Sequence, residues 1–219
     1  VASHTTPEAP EIQSMLVKML ERGCAACVME VSSHALMLQR VHEMKFAAAI
    51  FTNLTRDHLD FHGDMQHYFA AKRRLFEMLP AGAPSAVNVD DPKGVELAGV
   101  LSPVVTYAID RPADVRPRNI EYSLEGLAFD VDTPKGSLSI RSPLIGRPNV
   151  SNILGVVAVA VALDLPLEAI ERGVAALDRV PGRFEVVSSP GDGVTVVVDY
   201  AHTDDALRNL IETARPLAT

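Results

Sequence analysis

Four side chains that can bind a metal are packed into the six residues from Asp57 to His62. They are Asp57, His58, Asp60 and His62. The carboxylates favour a hard cation such as Mg²⁺. The chain has no HExxH motif, which excludes a zinc protease of that class. A capping or hydrogen-bonding role for these loop residues is the alternative, and the sequence leaves it open.

Lys72 follows this loop at a position where a lysine is unexpected. A helix is predicted from Asp64, a good N-cap residue, to just before Pro80. At about 100° per residue, Lys72 lies at the centre of an apolar arc. The arc consists of Met65, Tyr68, Phe69, Leu75, Phe76 and Leu79. Burial of an ammonium is unfavourable and should lower its pKa, so Lys72 either extends to water or faces a cleft as a functional group.

Two carboxylates are placed by predicted buried strands. Glu30 lies in the apolar run 26–31, and Asp199 directly follows the apolar run 194–198. Open α/β sheets bind their ligands at the carboxyl ends of strands, which makes both residues site candidates. A solvated strand end is the alternative for each of them.

Strands and helices alternate along most of the chain, which predicts an α/β fold with a mostly parallel sheet and helices on both faces. The predicted strands are 26–31, 46–52, 85–89 and 104–108, and the predicted helices are 8–22, 64–79 and 92–100. Short alternating runs between Arg116 and Ser142 predict a small antiparallel part. Helices at 149–163 and 167–177, strands at 184–188 and 194–198, and a helix from Asp205 complete the prediction.

Composition narrows the class of protein. The 219 residues are 47% hydrophobic and 22% charged, as expected of a globular protein with a substantial core. A net charge of −8 without a basic run argues against nucleic acid as a partner. No apolar stretch of membrane-spanning length and no signal peptide is visible, so no membrane partner is expected. Cys24 and Cys27 form a lone CxxC, which predicts packed thiols in a reducing cytoplasm.

The chain contains no GxxxxGK[ST] motif, and its five lysines are Lys18, Lys45, Lys72, Lys93 and Lys135. These residues therefore cannot bind a triphosphate in the manner of a P-loop. The chain starts with Val1 and ends after what is predicted to be an incomplete helix. We therefore expect a segment of a longer protein.

Six runs, in order, resemble the Mur ligase family, and within it the MurE type. They are MEVSSHAL, NLTRDHLDFHGDMQHYFAAK, NVDD, NVSN, PGRFEVV and VDYAHTDDAL. The resemblance implies an ATP- and Mg²⁺-dependent ligase of peptidoglycan precursor synthesis in the cytoplasm. Such an enzyme adds an amino acid, diaminopimelate or lysine, to UDP-N-acetylmuramoyl-L-alanyl-D-glutamate through an acyl phosphate. The sequence does not choose between the two amino acids.

The resemblance also implies domain boundaries. Residues 1–183 correspond to the central ATPase domain without its P-loop, and residues 184–219 to the beginning of a Rossmann-like C-terminal domain. The UDP-binding domain, the P-loop and most of the C-terminal domain would be missing parts of the same polypeptide. The 219 residues alone are therefore expected to be inactive.

Site residues carry over from the family position by position. Lys72 matches a carbamylated lysine, and Glu30 and His58 match residues around the magnesium ions. The implied contacts to the UDP-muramoyl dipeptide are Thr5, Thr6, Ser32 and Arg40. The implied contacts to ATP are Asn152, Arg183, Asp199 and His202. The chain departs from the usual family pattern at Leu38, Pro148 and Asp204.

A metal-dependent hydrolase is an alternative function from another class. It would use Glu30, His58 and a carbamylated Lys72, and it would need no P-loop. The residues that match ATP contacts would have no role in a hydrolase, which favours the ligase. A binding module that keeps the fold without turnover is the third hypothesis.

Overall fold

The computed structural model describes residues 5–189 and 192–217. The chain divides into two compact units, and each is described by itself below. Unit 1 comprises residues 1–49 and 56–83, and unit 2 comprises residues 50–55 and 84–219. In the part of the chain that the structure describes, no helix combines the length and the apolarity needed to cross a membrane.

Unit 1 is helical. It contains α1 (Ala9–Glu21), α2 (Ser33–Met37), α3 (Leu59–His62) and α4 (Met65–Glu77). Asp64 caps α4 as predicted, because its carboxylate accepts a hydrogen bond from the backbone N–H of His67 at 2.8 Å. α2 and α4 pack against each other. One hydrophobic cluster of unit 1 has Ile12, Leu36 and Val41 as its buried residues.

The strand predicted at 26–31 is wrong. Residues 24–32, all of which the structure describes, lie outside any helix or strand. Met29 and Val31 pack against the core of unit 1, whereas Val28 is 97% exposed. Cys24 and Cys27 are exposed thiols, so their predicted packing is wrong as well. Apolar alternation alone does not make a strand, because a strand also needs a neighbour for its backbone hydrogen bonds.

A three-stranded sheet organises unit 2. Its strand order is β1 (Ala49–Phe51), β2 (Ser85–Asn88), β3 (Val104–Tyr107), and β2 runs parallel to β3. All four residues of β2 are buried, as expected when both faces of a parallel sheet are covered. α5 (Pro92–Ala98) and α6 (Arg147–Ala162) pack on β2. The mixed α/β fold class is confirmed here.

The predicted antiparallel part is also present. It consists of β4 (Arg116–Ser123), β5 (Gly126–Thr133) and β6 (Gly136–Ser142), in that order. Gly126 has φ of +137°, and a Cβ there would lie 2.1 Å from the backbone oxygen of Ser142, so the turn requires glycine. α7 (Leu167–Ala175) packs on β6, and α6 contacts β5.

The last segment of unit 2 is small. It contains β7 (Glu185–Val186), β8 (Val197–Val198) and α8 (Asp204–Ala214), with a short 3₁₀ turn after it. β7 and β8 pair antiparallel over two residues each, which is much shorter than predicted. Val194, Val196 and Val198 are exposed, although the sequence predicts a buried strand there. Thr203 caps α8 by accepting a hydrogen bond from Ala206 N–H.

The main core of unit 2 lies where α6 meets the sheet. Val150, Leu154 and Val157 of α6 are fully buried, in agreement with its nearly uniform apolar sequence. Tyr107 of β3 is 1% exposed, and its hydroxyl donates to the backbone oxygen of Phe51 at 3.1 Å. Gly155 faces this ring, since a Cβ there would lie 3.0 Å from the Tyr107 hydroxyl oxygen.

Replacing Gly155 by alanine should therefore destabilise unit 2. Glycine to alanine usually stabilises a helix by roughly 1 kcal/mol. Here the Tyr107 ring is buried and hydrogen-bonded, so it cannot move away without loss. We expect Gly155→Ala to lower the free energy of unfolding by about 1–3 kcal/mol, measured as a shift of the urea midpoint.

Gly173→Ala is the matched control. Gly173 lies in α7, and no described heavy atom beyond its chain neighbours and its own helix backbone lies within 4 Å of the added Cβ. This variant should raise the free energy of unfolding by up to about 1 kcal/mol. A stabilising Gly155→Ala substitution would show that the Tyr107 ring is not held as described.

Candidate active site

Thr6 connects two predicted site residues of unit 1. Its side chain is buried, with the residue 0% exposed. The Thr6 hydroxyl donates to the backbone oxygen of Glu30 at 2.9 Å and accepts from the backbone N–H of Ser32 at 2.9 Å. Ser32 in turn caps α2 through Ala35 N–H. Although residues 24–32 form no strand, Thr6 therefore fixes their last three residues.

Arg40 is held by the segment that leads into α1. Its Nη1 donates to the backbone oxygen of Thr6 at 3.0 Å, and its Nη2 lies 2.7 Å from Oε1 of Glu8. Thr6, Ser32 and Arg40 are thus brought together, while Thr5 is exposed beside them. The proximity agrees with the predicted substrate set, whose role in binding stays a prediction.

Rings from α2, α3 and α4 form a cluster in unit 1. Its members are His34, His58, Phe61, His62 and Tyr68. His62 is buried, its Nε2 lies 2.9 Å from Ser33 Oγ, and its ring stacks on Tyr68. Burial lowers the pKa of His62 and of His34, and neighbouring histidines act in the same direction. Burial therefore favours the neutral form of both rings.

His58 precedes α3 in a left-handed backbone conformation, with φ of +54°. Its backbone N–H donates to Asp57 Oδ1 at 2.7 Å, and its ring Nδ1 lies 3.4 Å from the same oxygen. Such a conformation is uncommon for a residue with a side chain, although histidine adopts it more readily than most residues. The loop thus presents His58 and Asp57 together.

Lys72 occupies the position that the apolar arc predicts. Tyr68, Phe69 and Phe76 around it on α4 are buried, and the Lys72 ammonium lies 5.2 Å from the centroid of the Tyr68 ring. Burial lowers the pKa of Lys72, while the charges of Glu30 and Asp57 oppose this shift. Both carboxylates are therefore within electrostatic range of the amine.

A magnesium ion in unit 1 would need water molecules and substrate phosphates as ligands in addition to protein side chains. Within residues 5–189 and 192–217, no group of three or more His, Cys, Asp or Glu side chains is placed to hold a metal. Mg²⁺ commonly takes one or two protein ligands and completes its shell with water and substrate phosphates. Glu30 and His58 suit such an ion and do not suit a metal bound entirely by protein.

Unit 2 contains a cavity of about 640 Å³ between the start of α6 and α8. Asn152 lines it together with Arg147 of α6 and with Thr203, Asp205 and Asn209 from α8 or its cap. The Asn152 amide donates to Asn149 Oδ1 at 3.2 Å. The cavity offers amide, carboxylate and guanidinium groups to a polar ligand.

The other three residues matched to ATP contacts lie around the ends of β7 and β8. Asp199 accepts hydrogen bonds from the backbone N–H groups of Phe184 and Ala201, at 2.7 and 2.8 Å. The guanidinium of Arg183 lies over the ring of Tyr200, 5.4 Å from its centroid. His202 Nδ1 lies 2.9 Å from the backbone oxygen of Tyr200. None of Arg183, Asp199 and His202 is among the described residues that line the cavity beside Asn152.

Several site residues were missed by the sequence reasoning. Asp90 accepts hydrogen bonds from three backbone N–H groups, those of Ile109, Asp110 and Arg111. Arg147 pairs with Asp110 at the cavity. Asp90 belongs to the NVDD run and Arg147 directly precedes PNVSN, so proximity to these motifs was the available signal. The Glu8 contact to Arg40 has no local signal, because 32 positions separate the two residues (40 − 8).

Comparison with known proteins agrees with the motifs. The profile described as Mur ligase middle domain matches residues 1–160. The chain belongs to the Mur ligase family. A second profile, described as Mur ligase, glutamate ligase domain, matches residues 182–219 of this Mur ligase chain.

Curated Mur ligases are similar over the whole chain. A protein from Gloeobacter violaceus named UDP-N-acetylmuramoyl-L-alanyl-D-glutamate--2,6-diaminopimelate ligase is 48% identical over 215 residues, covering 98% of this chain. A protein of the same name from Geobacter sulfurreducens is 47% identical over 225 residues, covering 100% of this chain. The chain spans 44% of the length of each of these relatives.

Solved Mur ligase structures share the fold. One titled as the structure of UDP-N-acetylmuramoyl-L-alanyl-D-glutamate--2,6-diaminopimelate ligase has a TM-score of 0.80 and 33% identity, covering 99% of this chain and 45% of the solved one. A pseudomurein peptide ligase type C from Methanothermus fervidus has a TM-score of 0.69 and 18% identity, covering 84% of this chain and 44% of its own. The second likeness supports the fold alone.

The Thr6 hydroxyl should be essential for the order of residues 30–34. Thr6→Val keeps the shape of the side chain and leaves the Ser32 N–H and the Glu30 carbonyl without their partner. An unpaired buried group costs roughly 1–3 kcal/mol, so amide exchange at Ser32 should accelerate by about 5- to 150-fold. Hydrogen–deuterium exchange read by mass spectrometry over residues 30–34 measures this change.

Two variants serve as controls for Thr6→Val. Thr6→Ser retains the hydroxyl and should keep most of the protection. Thr5→Val makes the same chemical change at the exposed neighbour and should leave exchange at residues 30–34 unchanged. Equal exchange in Thr5→Val and Thr6→Val would contradict the described role of the Thr6 hydroxyl.

Proposed function

We propose that this chain is part of an ATP-dependent ligase of peptidoglycan precursor synthesis in the cytoplasm. The ligase adds diaminopimelate to UDP-N-acetylmuramoyl-L-alanyl-D-glutamate. The observation that supports this best is the 48% identity over 98% of the chain to a relative named for that reaction. The names of the relatives favour diaminopimelate over lysine, between which the sequence alone did not choose.

We also propose the domain division at residues 183 and 184. Residues 1–183 supply the central ATPase domain, and residues 184–219 begin the C-terminal domain. The 219 residues contain no P-loop, which in this kind of enzyme supplies backbone contacts to the phosphates. The segment by itself is therefore proposed to be inactive.

Unit 1 is proposed to bind the muramoyl substrate. The Arg40 guanidinium is suited to a carboxylate, because its planar N–H groups match the two oxygens. Ser32 lies beside it, with its backbone fixed by Thr6. The Thr6 hydroxyl is used inside the protein, so we assign Thr6 to the support of Ser32, Glu30 and Arg40. Exposed Thr5 completes the proposed set.

Glu30, His58 and Lys72 are proposed to hold magnesium. When bound, Mg²⁺ neutralises the charge of the transferring phosphate. Lys72 would contribute as a carbamate, formed when its neutral amine adds carbon dioxide and a proton is released to solvent, which turns a buried cation into an anionic ligand. The carboxylates of Glu30 and Asp57 would repel the negatively charged carbamate of Lys72. The carbamate would therefore need the bound metal ion for its stability.

Unit 2 is proposed to bind the adenosine part of ATP. The Asn152 amide offers a donor and an acceptor to a base edge, and Arg183 and His202 suit phosphate oxygens. Each Asp199 oxygen accepts one backbone N–H and retains a lone pair for a ribose hydroxyl.

The proposed reaction has two steps. The terminal carboxylate of the muramoyl dipeptide attacks the γ-phosphorus of ATP, a P–O bond forms, and ADP leaves. The amine of the incoming amino acid then attacks the acyl phosphate, an amide forms, and phosphate leaves with loss of a proton from nitrogen. Arg40 orients the attacking carboxylate, which is catalysis by positioning.

The hydrolase alternative has no support. The relatives are named as ligases. The residues matched to ATP contacts would also have no function in a hydrolase.

Assay of the full-length protein tests the proposed ligase. ADP release should require both UDP-N-acetylmuramoyl-L-alanyl-D-glutamate and diaminopimelate, and product should form in equal amount to ADP. Lysine in place of diaminopimelate should support much slower release. ADP release that is independent of either substrate would reject the ligase assignment, and the 219-residue segment assayed in parallel should release none.

Replacement of Lys72 tests its role in that enzyme. Lys72→Ala should lower kcat by about a hundredfold or more, because a group that organises charge at the phosphate is lost. The helix should remain folded, because alanine is a strong helix former. Added short-chain carboxylates should partly restore turnover by replacing the carbamate oxygens.

Two further variants control for Lys72→Ala. Lys72→Arg keeps the positive charge and fills the space, so added carboxylates should not restore its turnover. Lys45→Ala removes an exposed lysine of the same unit and should leave kcat unchanged. Near-normal turnover of Lys72→Ala in buffer free of bicarbonate would show that Lys72 is no part of the active site.

A further inference from the structure

The guanidinium of Arg40 is fixed by contacts from within unit 1. Nη1 donates to the Thr6 backbone oxygen at 3.0 Å, and Nη2 lies 2.7 Å from the Glu8 carboxylate. The side chain of Arg40 is only 11% exposed. Both partners belong to the few residues directly before α1. Arg40 therefore has one held position rather than a range of rotamers.

The remaining nitrogen of Arg40, Nε, has no hydrogen-bond partner in the part of the chain that the structure describes. This nitrogen is also buried. An unpaired buried donor costs roughly 1–3 kcal/mol, and more when the group is charged, so this cost has to be offset by the contacts of the other two nitrogens. Because Nε is enclosed by protein, an anionic ligand would meet the N–H groups that Nη1 and Nη2 retain beside those contacts.

We infer that Glu8 is a positioning residue for substrate binding. Its carboxylate holds Nη2 of Arg40, and the Thr6 carbonyl holds Nη1, which fixes the guanidinium and leaves one further N–H on each of these two nitrogens for the terminal carboxylate of the muramoyl dipeptide. This inference rests on the proposed function, which assigns Arg40 to that substrate. It adds Glu8, which the motifs did not include.

The contacts of Glu8 separate this role from a structural one. Glu8 is the N-cap residue of α1, but its side chain makes no capping hydrogen bond. Its side chain is 59% exposed. Truncation of Glu8 therefore removes no buried packing and no helix cap, and its main effect is on the Arg40 guanidinium.

A competing role for Glu8 has the opposite consequence. If the Glu8 carboxylate occupied the position of the substrate carboxylate, it would be an inhibitor of binding, and its removal would lower the KM. If Glu8 orients Arg40, its removal raises the KM, because the freed guanidinium must be ordered again by the substrate. The sign of the change in KM therefore decides between the two roles.

Steady-state kinetics of the full-length ligase test this inference. Glu8→Ala should raise the KM for the UDP-muramoyl dipeptide about tenfold, which corresponds to about 1.4 kcal/mol. The KM for ATP and the melting temperature should stay at the values of the unsubstituted enzyme. Glu8→Gln should raise the KM less, because its amide oxygen still accepts a hydrogen bond from Nη2.

Two comparisons make the test specific. Glu11→Gln removes an exposed carboxylate from the first turn of the same helix and should leave every parameter unchanged. In an Arg40→Lys background, Glu8→Ala should cause no further rise in KM, because Glu8 acts through Arg40.

The outcomes separate this inference from the proposed function. Unsubstituted enzyme that lacks substrate-dependent ADP release rejects the ligase itself. With an active ligase, an unchanged or lowered KM in Glu8→Ala overturns the positioning role. A parallel loss of melting temperature and of ATP affinity, or an additive effect in the Arg40→Lys background, also overturns it.

Discussion

The buried hydroxyl of Thr6 is the interaction on which the candidate site of unit 1 depends. One hydroxyl group satisfies the Glu30 carbonyl and the Ser32 N–H, and the carbonyl of the same residue receives Arg40. In the described structure, residues 24–32 pair with no neighbouring strand. The backbone groups of Glu30 and Ser32 therefore make their hydrogen bonds to a side chain, that of Thr6. Thr6 does this in a place where water cannot replace it, because the residue is fully buried. Hydrogen bonds to Thr6 thus fix the backbone of Glu30 and Ser32 and the guanidinium of Arg40.

Much of the fold could be predicted from periodicity and caps, and the failures share a cause. The helix after Asp64 and the meander between Arg116 and Ser142 are specified by residues close in sequence, and both are present. The strands at 26–31 and 194–198 were expected from apolar composition, and they are absent or reduced to two residues. A strand is a pairwise structure, so its formation depends on a partner that composition does not reveal. Helices close their hydrogen bonds within one segment and are therefore easier to predict.

The candidate site could also be predicted only in part, because some of its residues are recognised from local spacing and others only from contacts with residues distant in sequence. Lys72 stands out by its place on an apolar arc, and the histidines and carboxylates near it stand out by their spacing. Glu8 and Asp90 have roles in the structure that arise from contacts with distant residues, such as Arg40 and Ile109. Sequence patterns identify residues that are unusual where they stand. They do not identify ordinary residues whose importance comes from what they hold.

Arg40 and Lys72, the two cations of the proposed site in unit 1, have different chemical characters, which suits the roles proposed for them. Arginine carries its charge on a rigid planar group, and the guanidinium of Arg40 is held by a carboxylate and a carbonyl that match its donors. Lys72 is the more adaptable cation, because burial lowers the pKa of its amine and the ring of Tyr68 is a weak partner. A permanent charge is needed to orient a carboxylate, since loss of the charge would release it. A modifiable amine is needed where an anionic metal ligand has to be made. The exchange of the two residues would therefore fail at both positions, even though each is a long basic side chain.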